Sequence, residues 1–161
     1  DPNLRLSLWK TPEEARKRIL YGMKQCDIMK ISEEEVAFVS EQESLEKGVS
    51  FIRDNSDIKI LFVTLGNKGS IAYYKDEKIY CGGIHQEHVV DTTGAGDTFC
   101  GAVLSRILEL GTDALTEKDI REMLLFANAA ASIVVTRKGA LCSMPEPEEI
   151  RAASSLIDKV L

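Results

Sequence analysis

Asp91-Thr92-Thr93-Gly94-Ala95-Gly96-Asp97-Thr98-Phe99-Cys100-Gly101-Ala102 is the stretch on which the reading of this chain turns. A polar turn with two glycines runs into an apolar-periodic segment, Phe99 to Leu110. A helix is therefore expected to begin near Ala95 or Gly96 and to end near Gly111. Small residues take unusual dihedrals and let the backbone come close to a ligand. The first amides of such a helix lack an internal acceptor and form an anion site. A carboxylate in that first turn repels the anion itself. It is well placed to take a proton from a group attacking the anion. Anion-binding amides beside Asp97 follow the logic of phosphoryl transfer to a hydroxyl. Read only structurally, the same stretch is a glycine turn with a favourable first-turn charge.

The chain as a whole sets bounds. It has 161 residues, 44% of them hydrophobic, and a net charge of -6. That fits one soluble domain with a real core. No run approaches ~18 continuous apolar residues, so no membrane span is expected. The acidic balance and 6% aromatic content argue against a nucleic-acid binder. Cys26, Cys81, Cys100 and Cys142 lie far apart without a C-x-x-C pair. They read as reduced thiols of a cytoplasmic protein. There is no repeat, low-complexity tract or linker.

Periodicity and capping place the elements. Thr11 caps a helix from Pro12 to Cys26, with Ala15, Ile19, Met23 and Cys26 on one face. Asp27 to Ile31 is a short buried strand. Ser32 and Glu35 have capping-box spacing for the next helix. A third helix runs from about Glu43 to Asn55. Lys59 to Leu65 is a strongly apolar strand whose alternation with helices favours a parallel α/β sheet. A turn at Gly66–Gly69 leads to returning strands at Ser70–Lys75 and Lys78–Cys81, and Glu87–Val90 reads as a further strand. A long helix from Glu117 to about Thr136 and a last amphipathic helix from Pro145 through Ile150, Ala153 and Ile157 complete the chain.

The Asp91–Asp97 segment resembles the D-T-x-G-A-G-D signature of the ribokinase-like (PfkB) carbohydrate kinases. The resemblance implies a three-layer α/β/α sandwich with a mostly parallel sheet, of which this chain is the C-terminal portion. It implies transfer of the ATP γ-phosphoryl to a sugar hydroxyl. Asp97 is then the base, and Gly94, Ala95 and Gly96 supply the anion hole. Thr64-Leu65-Gly66-Asn67-Lys68-Gly69 resembles the family's T-L-G-x-x-G, which assigns Thr64, Gly66 and Gly69 to the ATP phosphates. A tight hairpin also needs glycines there. Ser32-Glu33-Glu34-Glu35 stands where the family has N-x-x-E. Glu35 then organises Mg2+ through water, and Ser32 borders the phosphates with a shorter reach than asparagine. As plain structure, the same residues form a helix cap. Asn128, among small residues on its helix, borders the adenine. Asp91, Thr93, Val134, Gly139 and Ser143 match positions that surround K+ with oxygens.

The opening Asp1-Pro2-Asn3-Leu4-Arg5, with Leu8-Trp9, is similar to that of fructokinases within this family, which phosphorylate the 6-hydroxyl of fructose. Kinases of 2-keto-3-deoxygluconate share it, and ribokinase is a further alternative. Asn3 and Arg5 are then candidates to meet the sugar. Partners are a small sugar and ATP, with no nucleic acid or membrane, and a homodimer of the full-length protein is allowed. His85 and His88 have H-x-x-H spacing without a third ligand and read as structural or exposed. A dinucleotide-dependent oxidoreductase is disfavoured by the absence of G-x-G-x-x-G after a first strand. A noncatalytic nucleotide-binding half-domain is the other alternative.

Overall fold

The computed structural model describes residues 1–139 and 141–157, and the side chains of Ser155, Leu156 and Ile157 lie outside the described residues. Helix α1 (Pro12–Met23) is capped by Thr11, whose hydroxyl accepts from the Glu14 amide at 3.2 Å. Strand β1 (Ile28–Ser32) leads into α2 (Glu33–Ser40) through the expected capping box, with Ser32 and Glu35 bonded reciprocally. Helix α3 (Leu45–Asp54) precedes β2 (Ile60–Thr64). A 3-10 turn at Gly66–Lys68 then reverses the chain into β3 (Gly69–Tyr74) and β4 (Glu77–Gly82).

The sheet order is β1-β2-β3-β4. β1 and β2 are parallel, with Ile28 opposite Ile60 and Ser32 opposite Thr64. β3 pairs antiparallel with β2, and β4 antiparallel with β3. The described sheet is thus mixed, because the two returning strands follow β2 through tight turns. The expected strand at Glu87–Val90 does not form. Val89 and Val90 have strand-like side chains but are 58% and 60% exposed. The Val90 amide instead donates to the Val135 carbonyl at 2.8 Å, holding this segment against the end of a helix.

Helices α4 (Ala95–Leu110) and α5 (Glu117–Val134) cover one face of the sheet, followed by α6 (Pro147–Ile157). Period-two alternation divides the core accordingly. Ile60, Phe62, Ala72 and Tyr74 pack with α4 and α5. Leu61, Val63, Ile71 and Tyr73 pack with α1, α2 and α3. The result is three layers, helix, sheet and helix. The Phe62 and Phe99 rings meet edge to face, with centroids 6.3 Å apart. Such a pair adds about 0.5–1.5 kcal/mol beyond area burial. Here it fixes α4 against β2 one turn from the start of the helix. None of the described helices is long and apolar enough to cross a membrane.

Candidate active site

Gly94 is the N-cap of α4 and sits at φ 83°, a left-handed conformation that glycine takes without a Cβ penalty. The turn it makes is closed by the Ala95 amide, which donates to the Thr92 carbonyl at 3.2 Å. That amide is therefore already committed within the turn. The Gly94, Gly96 and Asp97 amides have no backbone acceptor among the described residues, so the open donors are these three. Asp97 itself is exposed, and its Oδ1 accepts from Asn3 Nδ2 at 3.5 Å.

A cleft of about 420 Å³ opens beside this turn. Thr64, Gly66, Gly69, Ala95, Gly96 and Asn128 all line it, so the fold joins three separate sequence segments around one space. Thr64 ends β2, and ligands gather at the carboxyl ends of strands in open α/β sheets. Asn128 is buried, and both ends of its carboxamide have partners. It accepts from Ser70 Oγ at 2.9 Å and donates to the Cys81 and Gly82 carbonyls, each at 3.2 Å.

Glu35 ties the N-terminal segment to this end of the sheet. Its Oε1 accepts from the Leu4 amide at 2.7 Å and its Oε2 from the Ser32 amide at 2.9 Å. Each oxygen keeps a second lone pair, which suits a metal-bound water better than direct ligation. Ser32 Oγ accepts from the Glu35 amide at 3.2 Å and serves as the cap. Asn3 takes a left-handed φ of 49° and reaches Asp97. Arg5 is exposed and forms no ion pair with any described residue.

Asp91 joins two loops. Its Oδ1 accepts from the Thr93 amide at 2.9 Å and its Oδ2 from the Gly139 amide at 3.3 Å. The Thr93 hydroxyl, the Thr93 amide and the Gly139 amide hold the Asp91 carboxyl below its ordinary value. Ser143 Oγ donates to the Gly139 carbonyl at 2.6 Å, which brings Thr93, Gly139 and Ser143 around Asp91. Val134 lies next to this group in the chain, since the carbonyl of its neighbour Val135 accepts from the Asp91 amide at 3.2 Å. The Val134 carbonyl accepts from the Arg137 amide at 3.0 Å at the end of α5. No group of three or more His, Cys, Asp or Glu side chains able to hold a metal occurs among the described residues. A carboxylate together with backbone carbonyls is the chemistry that suits a hard cation.

Several cleft residues were not foreseen. Gly83, Ile84, His85, Gln86 and Val89 form a wall from the irregular segment after β4. Gly83 leaves a signal only in hindsight. A Cβ there would meet the Asn67 carbonyl oxygen at 2.2 Å, so the segment can close on the Gly66–Lys68 turn only with glycine. His85 and His88 are both exposed, and His85 belongs to the cleft wall.

Comparison with known proteins agrees with this geometry. Residues 1–147 match the model of the pfkB family carbohydrate kinases. Fructokinase-1 of Oryza sativa subsp. japonica is 41% identical over 152 residues, covering 93% of this chain and 46% of the relative. A solved double mutant of fructokinase from Vibrio cholerae O395, bound to fructose, ADP and potassium, superimposes with a TM-score of 0.85 at 32% identity. That match covers 94% of this chain and 48% of the other. Aminoimidazole riboside kinase from Salmonella enterica, complexed with its riboside and an ATP analogue, gives 0.81 at 26% identity, over 95% and 50% of the two chains. The chain spans about half the length of these relatives. On this evidence the chain belongs to the pfkB family of carbohydrate kinases.

Proposed function

We propose that the protein containing this chain phosphorylates a sugar hydroxyl with ATP, and that the sugar is fructose, converted to fructose 6-phosphate. The observation that carries the reading is Asp97. It is an exposed carboxylate on the turn whose Ala95 and Gly96 line the cleft, beside amides with no other acceptor. The likeness to fructokinases of plant and bacterial origin supports the choice of sugar. The chain is then the C-terminal part of one kinase domain.

In this reading Asp97 accepts the proton of the sugar hydroxyl as its oxygen attacks the γ-phosphorus. The Gly94, Gly96 and Asp97 amides receive the charge that develops on the transferred phosphoryl. Thr64, Gly66 and Gly69 cradle the remaining phosphates, and the ring lies along the wall that includes Asn128. Asn3 and Arg5 face the sugar side. Glu35, with Ser32, would hold Mg2+ through water. Asp91, Thr93, Gly139 and Ser143, with Val134 behind them, would hold K+. These cations would supply charge neutralisation next to the phosphates and would stiffen the turn.

The test is a coupled assay of the full-length protein with fructose, ribose and 2-keto-3-deoxygluconate. A kcat/KM for fructose at least about tenfold above the other two is expected. Preference for either of the others would replace the substrate, and absence of turnover on all three would remove the kinase assignment.

A further inference from the structure

Lys30 is the only charged residue that is buried among the described residues. It lies mid-strand in β1 between Met29 and Ile31, which face the α1–α3 core. Period two therefore turns Lys30 towards α4, on the side where Ile28 packs. An apolar residue would be the ordinary choice there. Instead an ammonium sits under the phosphate turn. A Cβ built on Gly96 would lie 2.9 Å from Lys30 Nζ and 3.7 Å from Lys30 Cε. The ammonium donates to Asp1 Oδ1 at 3.2 Å, and the two side chains are 7% and 14% exposed.

This arrangement is unfavourable in isolation. A buried cation loses its hydration, which one carboxylate contact does not fully restore. An ammonium has three donors, and Asp1 is its only acceptor among the described residues. It also stands next to the positive end of α4, where a cation is disfavoured. An anion arriving at the Gly96 and Asp97 amides reverses that balance.

We propose that Lys30 is a positioning residue of the phosphoryl site. Its ammonium, fixed by Asp1 beneath Gly96, sets the turn and strengthens the attraction of the α4 amides for a transferred phosphoryl group. A side chain at Gly96 would have to displace the Lys30 ammonium from its place beside Asp1. The role at the phosphoryl rests on the kinase reading above, whereas the packing of Lys30 under Gly96 does not.

The experiment uses the full-length protein with Lys30→Met and Lys30→Arg. Methionine ends where Lys30 Cε stands and so removes the charge and the 2.9 Å contact together. The probes are ADP with Mg2+, alone and with aluminium fluoride as a mimic of the transferred phosphoryl. Lys30→Met is expected to weaken the aluminium fluoride complex roughly tenfold or more, and ADP alone by less than about threefold. Lys30→Arg should recover part of the loss. Equal weakening of both complexes would make Lys30 a structural prop, and no weakening of either would remove its role. A second readout needs no activity. Gly96→Ala should lower Tm, and by much less in the Lys30→Met background. Equal losses in both backgrounds would overturn the packing argument. A wild-type protein that does not bind ADP would overturn the kinase reading and the positioning role with it, and the thermal cycle would still decide the packing.

Discussion

Asn3 Nδ2 lies 3.5 Å from Asp97 Oδ1, although the two residues are 94 positions apart. The approach depends on the left-handed turn at Asn3 and on the bond from the Leu4 amide to Glu35. The carboxylate proposed as base is thus oriented from outside its own helix. Asp97→Asn keeps the shape of the side chain but cannot accept the proton. In the full-length protein it should lower kcat by ~10²–10⁴-fold. Calorimetric titration should find ATP affinity close to wild type. Turnover near the wild-type rate would sink the assignment of Asp97.

The unforeseen wall of the cleft can be probed at Gly83. Gly83→Ala places a methyl 2.2 Å from the Asn67 carbonyl oxygen and 2.8 Å from the Gly69 amide, both backbone atoms that cannot easily move. A loss of about 1–3 kcal/mol is expected in a denaturant titration, together with weaker ATP binding. Gly82→Ala is the control, since its Cβ would meet only Tyr80 Oη at 3.8 Å. Equal behaviour of the two variants would show that the segment relaxes freely.

Asp91 gives a prediction in both salt and pH. Potassium should raise activity over lithium or choline at equal ionic strength, and Asp91→Asn should abolish the difference. Identical rates in the three salts would dismiss the cation site. The Asp91 carboxyl lies below its ordinary value of 3.8 because the Thr93 hydroxyl and the two amides favour the ionised form. A depressed folded value means that the tie contributes in full above the unfolded value. The contribution is lost as pH falls through the folded one. Thermal melts of wild type and Asp91→Asn should therefore differ at neutral pH and converge at strongly acidic pH.

Much of the architecture could be read from local chemistry. Thr11-Pro12, Ser32 with Glu35, and the Leu61-Phe62 run each carry a capping or burial signal that does not depend on distant residues. The glycine turn before Asp97 was equally plain. What escaped reading depends on pairing between segments. Val89 and Val90 have strand propensity, yet among the described residues no strand pairs with them, and they remain exposed. Nothing local singles out Gly83, because its constraint comes from the Asn67 carbonyl. Nothing local marks Lys30 within its short buried strand, because its contact is with Gly96 across the fold. Among the open amides at the start of α4, Asp97 takes the place of Ala95, since Ala95 closes the turn itself.

Expressed alone, this segment should show no turnover on fructose. Holding two substrates in line is needed for transfer, and small displacements cost heavily. β1 is an edge of the described sheet, yet its central residues Met29, Lys30 and Ile31 are buried like those of an interior strand. An unpaired edge of this kind invites association. Light scattering should reveal oligomers, and a coupled assay should stay at background. Activity comparable with the full-length protein would refute this.

Asn128 stands in the cleft with both its donors already directed at protein carbonyls. Its oxygen is taken by Ser70, and its nitrogen by the carbonyls at the end of β4. It acts as a rivet between α5 and the hairpin, not as a reader of hydrogen-bonding edges. A pocket wall made this way accepts a flat ring by thickness and leaves purines poorly distinguished. Nucleotide promiscuity is the expected outcome. GTP and ITP should support turnover within about tenfold of ATP in kcat/KM, the range that shape selection alone provides. A preference for ATP of several orders of magnitude would mean that another group reads the base.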